Sequence, residues 1–82
     1  MKTHPKQAIL TRYFGPTNTK PSRIKATAQA GSVTLSWNYD LDPSENHRAA
    51  ALALAAKFDW TGPWQGGALP ANGGFAWTCP EL

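Results

Sequence analysis

These 82 residues predict an α+β fold: an antiparallel sheet of four to five strands, β-β-β-α-β-β in chain order, with one helix packed on one face. Three observations carry that expectation. Residues 23–29 and 32–39 alternate apolar and polar side chains about a short turn, as a hairpin with one buried face does. Asp42-Pro43-Ser44-Glu45 then opens a stretch of helical periodicity. Two short runs on either side of Pro70-Ala71-Asn72-Gly73-Gly74 close the chain as a second hairpin.

Residues 1–7 read as a frayed lead-in to a single domain spanning residues 1–82, because Pro5 opposes regular pairing. Residues 8–14 (AILTRYF) are rich in branched and aromatic side chains and read as a strand. Ile9, Thr11 and Tyr13 share one face, Leu10, Arg12 and Phe14 the other, and apolar residues on both leave the buried face open. Gly15-Pro16 ends the strand. Thr17-Asn18-Thr19-Lys20-Pro21-Ser22 is turn chemistry, whose side chains bond nearby backbone and order the loop. With Ala30-Gly31 as a two-residue turn, Ala28 faces Val33, Ala26 faces Leu35 and Ile24 faces Trp37. On the other face Arg23 meets Asn38, Lys25 meets Ser36 and Thr27 meets Thr34. The hairpin therefore has an apolar face and a wet one that is basic and hydroxylic.

For the helix, Asp42 is the cap, Pro43 suits the first position and Glu45 the reciprocal capping-box place. It should run to about Phe58, before Thr61-Gly62-Pro63. His47, Ala50, Ala51, Leu54, Ala55 and Phe58 fall on one side and face the sheet. Ala49, Leu52, Ala53 and Ala56 form a smooth opposite surface, read either as helix propensity or as a secondary contact face. In the tail, Trp64–Leu69 and Phe75–Cys79 are the strands, with Phe75, Trp77 and Cys79 alternating toward one face.

The composition argues against catalysis. Two histidines and one cysteine without paired spacing make neither a metal site nor a nucleophile–base pair. His47 reads as a packed, hydrogen-bonded core residue and Cys79 as a buried thiol. No phosphate-binding glycine loop is present. The expectation is a non-enzyme with no metal and no cofactor. No stretch approaches the about 18 apolar residues of a membrane span, and a lone cysteine suits a reducing compartment, so a cytoplasmic protein is expected.

Charge is distributed unevenly. Residues 1–25 hold Lys2, Lys6, Arg12, Lys20, Arg23 and Lys25 with no acid; residues 26–82 hold two cations and five acids. A one-sided positive field either steers an acidic partner or keeps the N-terminal part soluble. Arg12, Thr17, Asn18, Thr19, Lys20, Arg23 and Lys25, with Ser22, are the residue types that contact phosphates. Tyr13, Phe14 or Trp37 would stack a base where exposed. The same surface suits an acidic protein groove.

TRYFGPTNTKPSRIKATA, ENHRAAALALAAKFDW and GGALPANGGFAW together resemble a family of small proteins of bacteriophages, plasmids and integrated elements. That family shows a TKY-like first strand, an NTRGSRIKA-like segment, an NHRAAA-type helix and a closing GG-LP-GG-F hairpin. The likeness covers Leu10 to Trp77 and departs at Pro21, where the family often has glycine, which stiffens the turn here. It implies a mobile-element setting inside a bacterial host. By analogy of setting and size, the leading expectation is a binding protein that inhibits a host defence protein or ribonucleoprotein complex, most plausibly an anti-CRISPR. The alternatives are a nucleic-acid-binding accessory protein that uses the basic hairpin face, and a structural module docking through Ala49, Leu52, Ala53 and Ala56.

Overall fold

The computed structural model describes residues 8–60, 63–70 and 74–79. The lead-in at 1–7 and the turn interior at 71–73 lie outside them. Its elements are β1 (Ile9–Phe14), β2 (Arg23–Ala28), β3 (Gly31–Ser36), α1 (Pro43–Lys57), β4 (Gln65–Ala68) and β5 (Phe75–Thr78). Five strands form one antiparallel sheet in the order β3-β2-β1-β5-β4, with α1 on one face. This is the α+β order predicted. The crossover from β3 to β4 runs from one sheet edge to the other. A helix of 15 residues is about 22 Å long, a match to the about 19 Å that separates the outer strands of a five-stranded sheet.

β1 resolves the face that its own sequence leaves open. Ile9 and Thr11 are fully buried while Leu10 is 50 % exposed, so Ile9, Thr11 and Tyr13 turn toward the helix. Tyr13 lies at the sheet's end, its hydroxyl 3.1 Å from Ser22 Oγ and its ring edge-on to Trp37. Ser22 is therefore buried and engaged in the core, not presented to a partner.

The β2–β3 register differs from the expected one by two residues. Ala28 sits opposite Gly31, Ala26 opposite Val33, Ile24 opposite Leu35 and Lys25 opposite Thr34, so the turn is Gln29-Ala30. Gly31 thus belongs to the strand, and the Phe58 ring lies over it; an added Cβ would stand 3.0 Å from Phe58 Cζ. Since side chains alternate with a period of two, the shift leaves every residue on its predicted face. Only the cross-strand partners change.

At the start of α1 the Glu45 carboxylate accepts the Asp42 amide at 3.4 Å. Beyond Phe58 the chain turns left-handed at Asp59 (φ 59°). The Trp60 and Asp59 amides return to the Ala55 and Ala56 carbonyls at 2.8 and 3.2 Å, a Schellman closure. The predicted inward stripe is buried as expected, with Phe58 packed at its margin. Asn46 joins it unforeseen. Only 2 % exposed, it bonds Asn38 as another strand would, Oδ1 accepting the Asn38 amide at 2.8 Å and Nδ2 donating to its carbonyl at 2.9 Å. That side chain ties the end of β3 to the first turn of α1.

The core's polar centre is Thr11. Trp77 Nε1–H donates to Thr11 Oγ1 at 3.0 Å, and His47 Nδ1 lies 2.8 Å from the same oxygen. Indole can only donate, so the threonine oxygen accepts from Trp77, while the direction of its bond with His47 Nδ1 follows the tautomer of the ring. Phe75 packs on the imidazole at 4.4 Å and Trp37 meets it edge-on. Burial pushes His47 below its ordinary 6.5, against a smaller opposing pull from the Thr11 backbone. The unfolded chain thus takes up this proton more readily than the native one. His47's contribution to stability is complete above pH 6.5 and is lost as pH falls from there toward the depressed native value. Urea unfolding should show a lower midpoint at about pH 5 than at about pH 7.5. His47→Gln should remove that portion of the pH dependence; an unchanged slope would show that His47 is not buried neutral.

Candidate functional site

The sheet face away from α1 has no covering layer among the described residues. Antiparallel pairing between β1 and β2 sets Arg12 directly opposite Lys25 and Phe14 directly opposite Arg23. Side chains in such pairs stand about 5 Å apart at Cβ. Both guanidinium groups lean over Phe14, Arg12 at 5.6 Å and Arg23 at 5.2 Å from the ring centroid. Arg23 also donates from Nη1 to the Pro21 carbonyl at 3.4 Å, which holds it at the strand entrance. Two shallow depressions flank this grid. Phe14, Lys20, Arg23, Lys25 and Thr34 line one of about 370 Å³. Leu10, Thr11, Arg12, Phe14, Lys25 and Thr27 line the other, about 290 Å³. Phe14 and Lys25 belong to both.

Four predicted contact residues, Arg12, Lys20, Arg23 and Lys25, therefore converge. Thr17, Asn18 and Thr19 do not. They lie exposed in the β1–β2 loop and line neither depression. Thr17 has a structural task there: its Oγ1 accepts the Lys20 and Thr19 amides at 3.0 and 3.3 Å, while its own amide donates to the Lys20 carbonyl at 2.8 Å. This ordered turn carries Lys20 to the groove. The helix surface is less uniform than predicted, with Ala49 and Ala53 half-buried, Ala56 exposed and Leu52 40 % exposed. Phe14, Leu10, Thr27 and Thr34 complete the basic face. The alternation of β1 already grouped Phe14 with Arg12, but choosing that face required the β1–β2 register.

No carboxylate of the described residues forms an ion pair with these cations. Asp40, Asp42, Glu45 and Asp59 belong to the turn after β3 and to the two ends of α1. Like charges directly opposite in a sheet repel, and an anion on that face relieves the repulsion. His47 and Cys79 are both buried in the core, apart from this surface. No helix among the described residues is long and apolar enough to cross a membrane.

Against known proteins, the chain matches no family model, no curated protein and no solved structure.

Proposed function

We propose that this protein is a non-enzymatic binding module that holds single-stranded nucleic acid on its open sheet face. The observation that carries the reading is the uncompensated pair Arg12–Lys25 beside Arg23–Phe14. Phosphates engage the cations, and a base stacks at Phe14, the arrangement by which sheets hold single strands. In the mobile-element setting that the resemblance implies, the strand is one carried or displaced by a host defence ribonucleoprotein. The protein then inhibits that complex, a CRISPR effector being the leading case. A basic face favours gripping the nucleic acid over occupying its channel, because such channels are themselves positive.

With Arg12, Lys20, Arg23 and Lys25 as the phosphate contacts, affinity for a labelled single-stranded oligonucleotide should fall about 50-fold between about 50 and 200 mM salt. Arg23→Glu with Lys25→Glu should weaken it at least about 100-fold without lowering the unfolding midpoint. Binding that ignores both salt and charge reversal sinks the reading. Co-purification with a host complex that survives nuclease treatment would instead favour an acidic protein surface as the partner.

A further inference from the structure

β3 forms one edge of the sheet, and its hydrogen-bonding phase can be read residue by residue. The Trp37 amide donates to the Ser22 carbonyl at 3.1 Å, and Ala28 opposes Gly31 across the turn. Bonded and non-bonded pairs alternate along an antiparallel ladder, so Gly31, Val33 and Leu35 turn their backbone groups to β2. Ser32, Thr34 and Ser36 turn theirs outward. Lys57 agrees with that phase: its Nζ donates to the Ser32 carbonyl at 3.2 Å from the edge.

Edge strands are ordinarily blunted by charge, proline, a bulge or brevity. β3 has none of these among its own residues; the charge at its edge is Lys57 of α1, on the Ser32 carbonyl. The strand is six residues, GSVTLS, uncharged and regularly paired along its length. The other edge, β4, has four residues, QGGA, lies between Pro63 and Pro70, and offers two glycines in place of side chains.

We propose that β3 pairs antiparallel with β3 of a second copy of this chain, joining two five-stranded sheets into one. The warrant is self-complementarity. Ser32-Val33-Thr34-Leu35-Ser36 reads hydroxyl, aliphatic, hydroxyl, aliphatic, hydroxyl from either end. A two-fold axis at Thr34 sets Thr34 against itself, Ser32 against Ser36 and Val33 against Leu35. All three outward residues then exchange backbone bonds, since each meets another outward residue. The half-buried Val33 and Leu35 acquire apolar neighbours on the helix side. Hydroxyls meet on the other face.

Charge does not oppose this contact. Among the described residues the nearest cation is Lys57, at the edge itself, and the Ser32 carbonyls of the two copies stand four residues or about 13 Å apart along the paired strands. Arg23 and Lys25 stand on β2, so those of the two copies are three strand spacings or about 14 Å apart. Both separations are beyond the about 8 Å reach of charge in physiological salt. Lys57 needs only to share or release the Ser32 carbonyl. The two basic faces come to lie on the same side of the joined sheet.

Sedimentation over a dilution series should take the wild-type protein from twice the chain mass to the chain mass. Thr34→Pro removes only an outward donor, and Thr34→Lys sets like charges together at the axis. Both should lose the dimer while keeping the wild-type circular dichroism, and Leu52→Glu should keep it. Amide exchange of the wild-type protein tests the contact without relying on variants. The Ser32, Thr34 and Ser36 amides should exchange slowly when concentrated and rapidly when dilute. A monomer at every concentration overturns the proposal. So does a dimer whose Thr34 amide exchanges rapidly or that Leu52→Glu dissolves, as would protection gained only with a strand from another protein.

Discussion

Gly74→Ala is expected to lower stability by at least about 3 kcal/mol, enough to leave a domain of this size largely unfolded under mild denaturant. Gly74 has φ +89°, a conformation that side chains rarely adopt, immediately before β5. Strain alone accounts for about 1–2 kcal/mol. The larger cost is steric. A Cβ at this position would fall on the Thr11 carbonyl oxygen, a backbone atom that cannot swing aside. Relief requires β1 and β5 to separate where Thr11 pairs with Phe75. Native domains are stable by about 0.05–0.15 kcal/mol per residue, so one such separation consumes much of the total. Gly67 is the internal control. Nothing lies within 4 Å of a Cβ added there, and Gly67→Ala should be neutral or slightly stabilising. Urea midpoints of the two variants, measured side by side, test the contrast. Equal midpoints would mean that the β1–β5 seam is not as described.

Parts of this fold are plain in the sequence because local and global preferences agree there. The alternation of residues 23–28 and 32–36 assigns each side chain to its observed face, and Asp42-Pro43-Ser44-Glu45 starts the helix where α1 begins. β1 is different. Its exposed Leu10 and buried Thr11 invert the usual preference because the partners that satisfy Thr11 come from far along the chain. His47 is 36 positions away and Trp77 is 66. No local pattern announces such a meeting. The β2–β3 register was out of reach because a two-residue slip leaves the alternation unchanged, so the local pattern does not choose between Gln29-Ala30 and Ala30-Gly31 as the turn. Asn46 was also silent. An asparagine in a helix reads as a solvated residue, and only the proximity of the Asn38 backbone makes it a buried clasp.

The basic face was legible as a set of residue types and illegible as a geometry. Arg23 and Lys25 declare themselves by alternation on β2. That Arg12 would stand opposite Lys25, with Phe14 opposite Arg23, depends on how β1 docks beside β2. The loop residues Thr17, Asn18 and Thr19 have phosphate-binding chemistry but lie off the grooves, and the Thr17 hydroxyl is committed to closing its own turn. Residue type identified the cations of the site; pairing register decided which neighbours join them.

Thr11→Val should be the other severe change, costing about 2–6 kcal/mol as two buried groups lose their partner. Valine keeps the shape of threonine and removes its hydroxyl, so packing is nearly conserved. What it removes is the oxygen that accepts the Trp77 indole at 3.0 Å and stands 2.8 Å from His47 Nδ1. Trp77 and His47 are 6 % and 5 % exposed, leaving little water to replace it, and each orphaned group costs about 1–3 kcal/mol. Thr11→Ser makes the opposite deletion. It keeps the hydroxyl and loses a methyl, at about 1 kcal/mol. Valine should therefore unfold at markedly lower urea than serine. The reverse order would show that the methyl group, not the hydrogen bonds, holds this centre. A cycle with His47→Leu separates the two bonds: part of the Thr11→Val penalty should vanish once the imidazole is gone, and the part due to Trp77 should remain. Because Thr11 lies between Leu10 and Arg12 on β1, the same hydroxyl that joins helix to sheet also fixes the strand from which Arg12 reaches the open face.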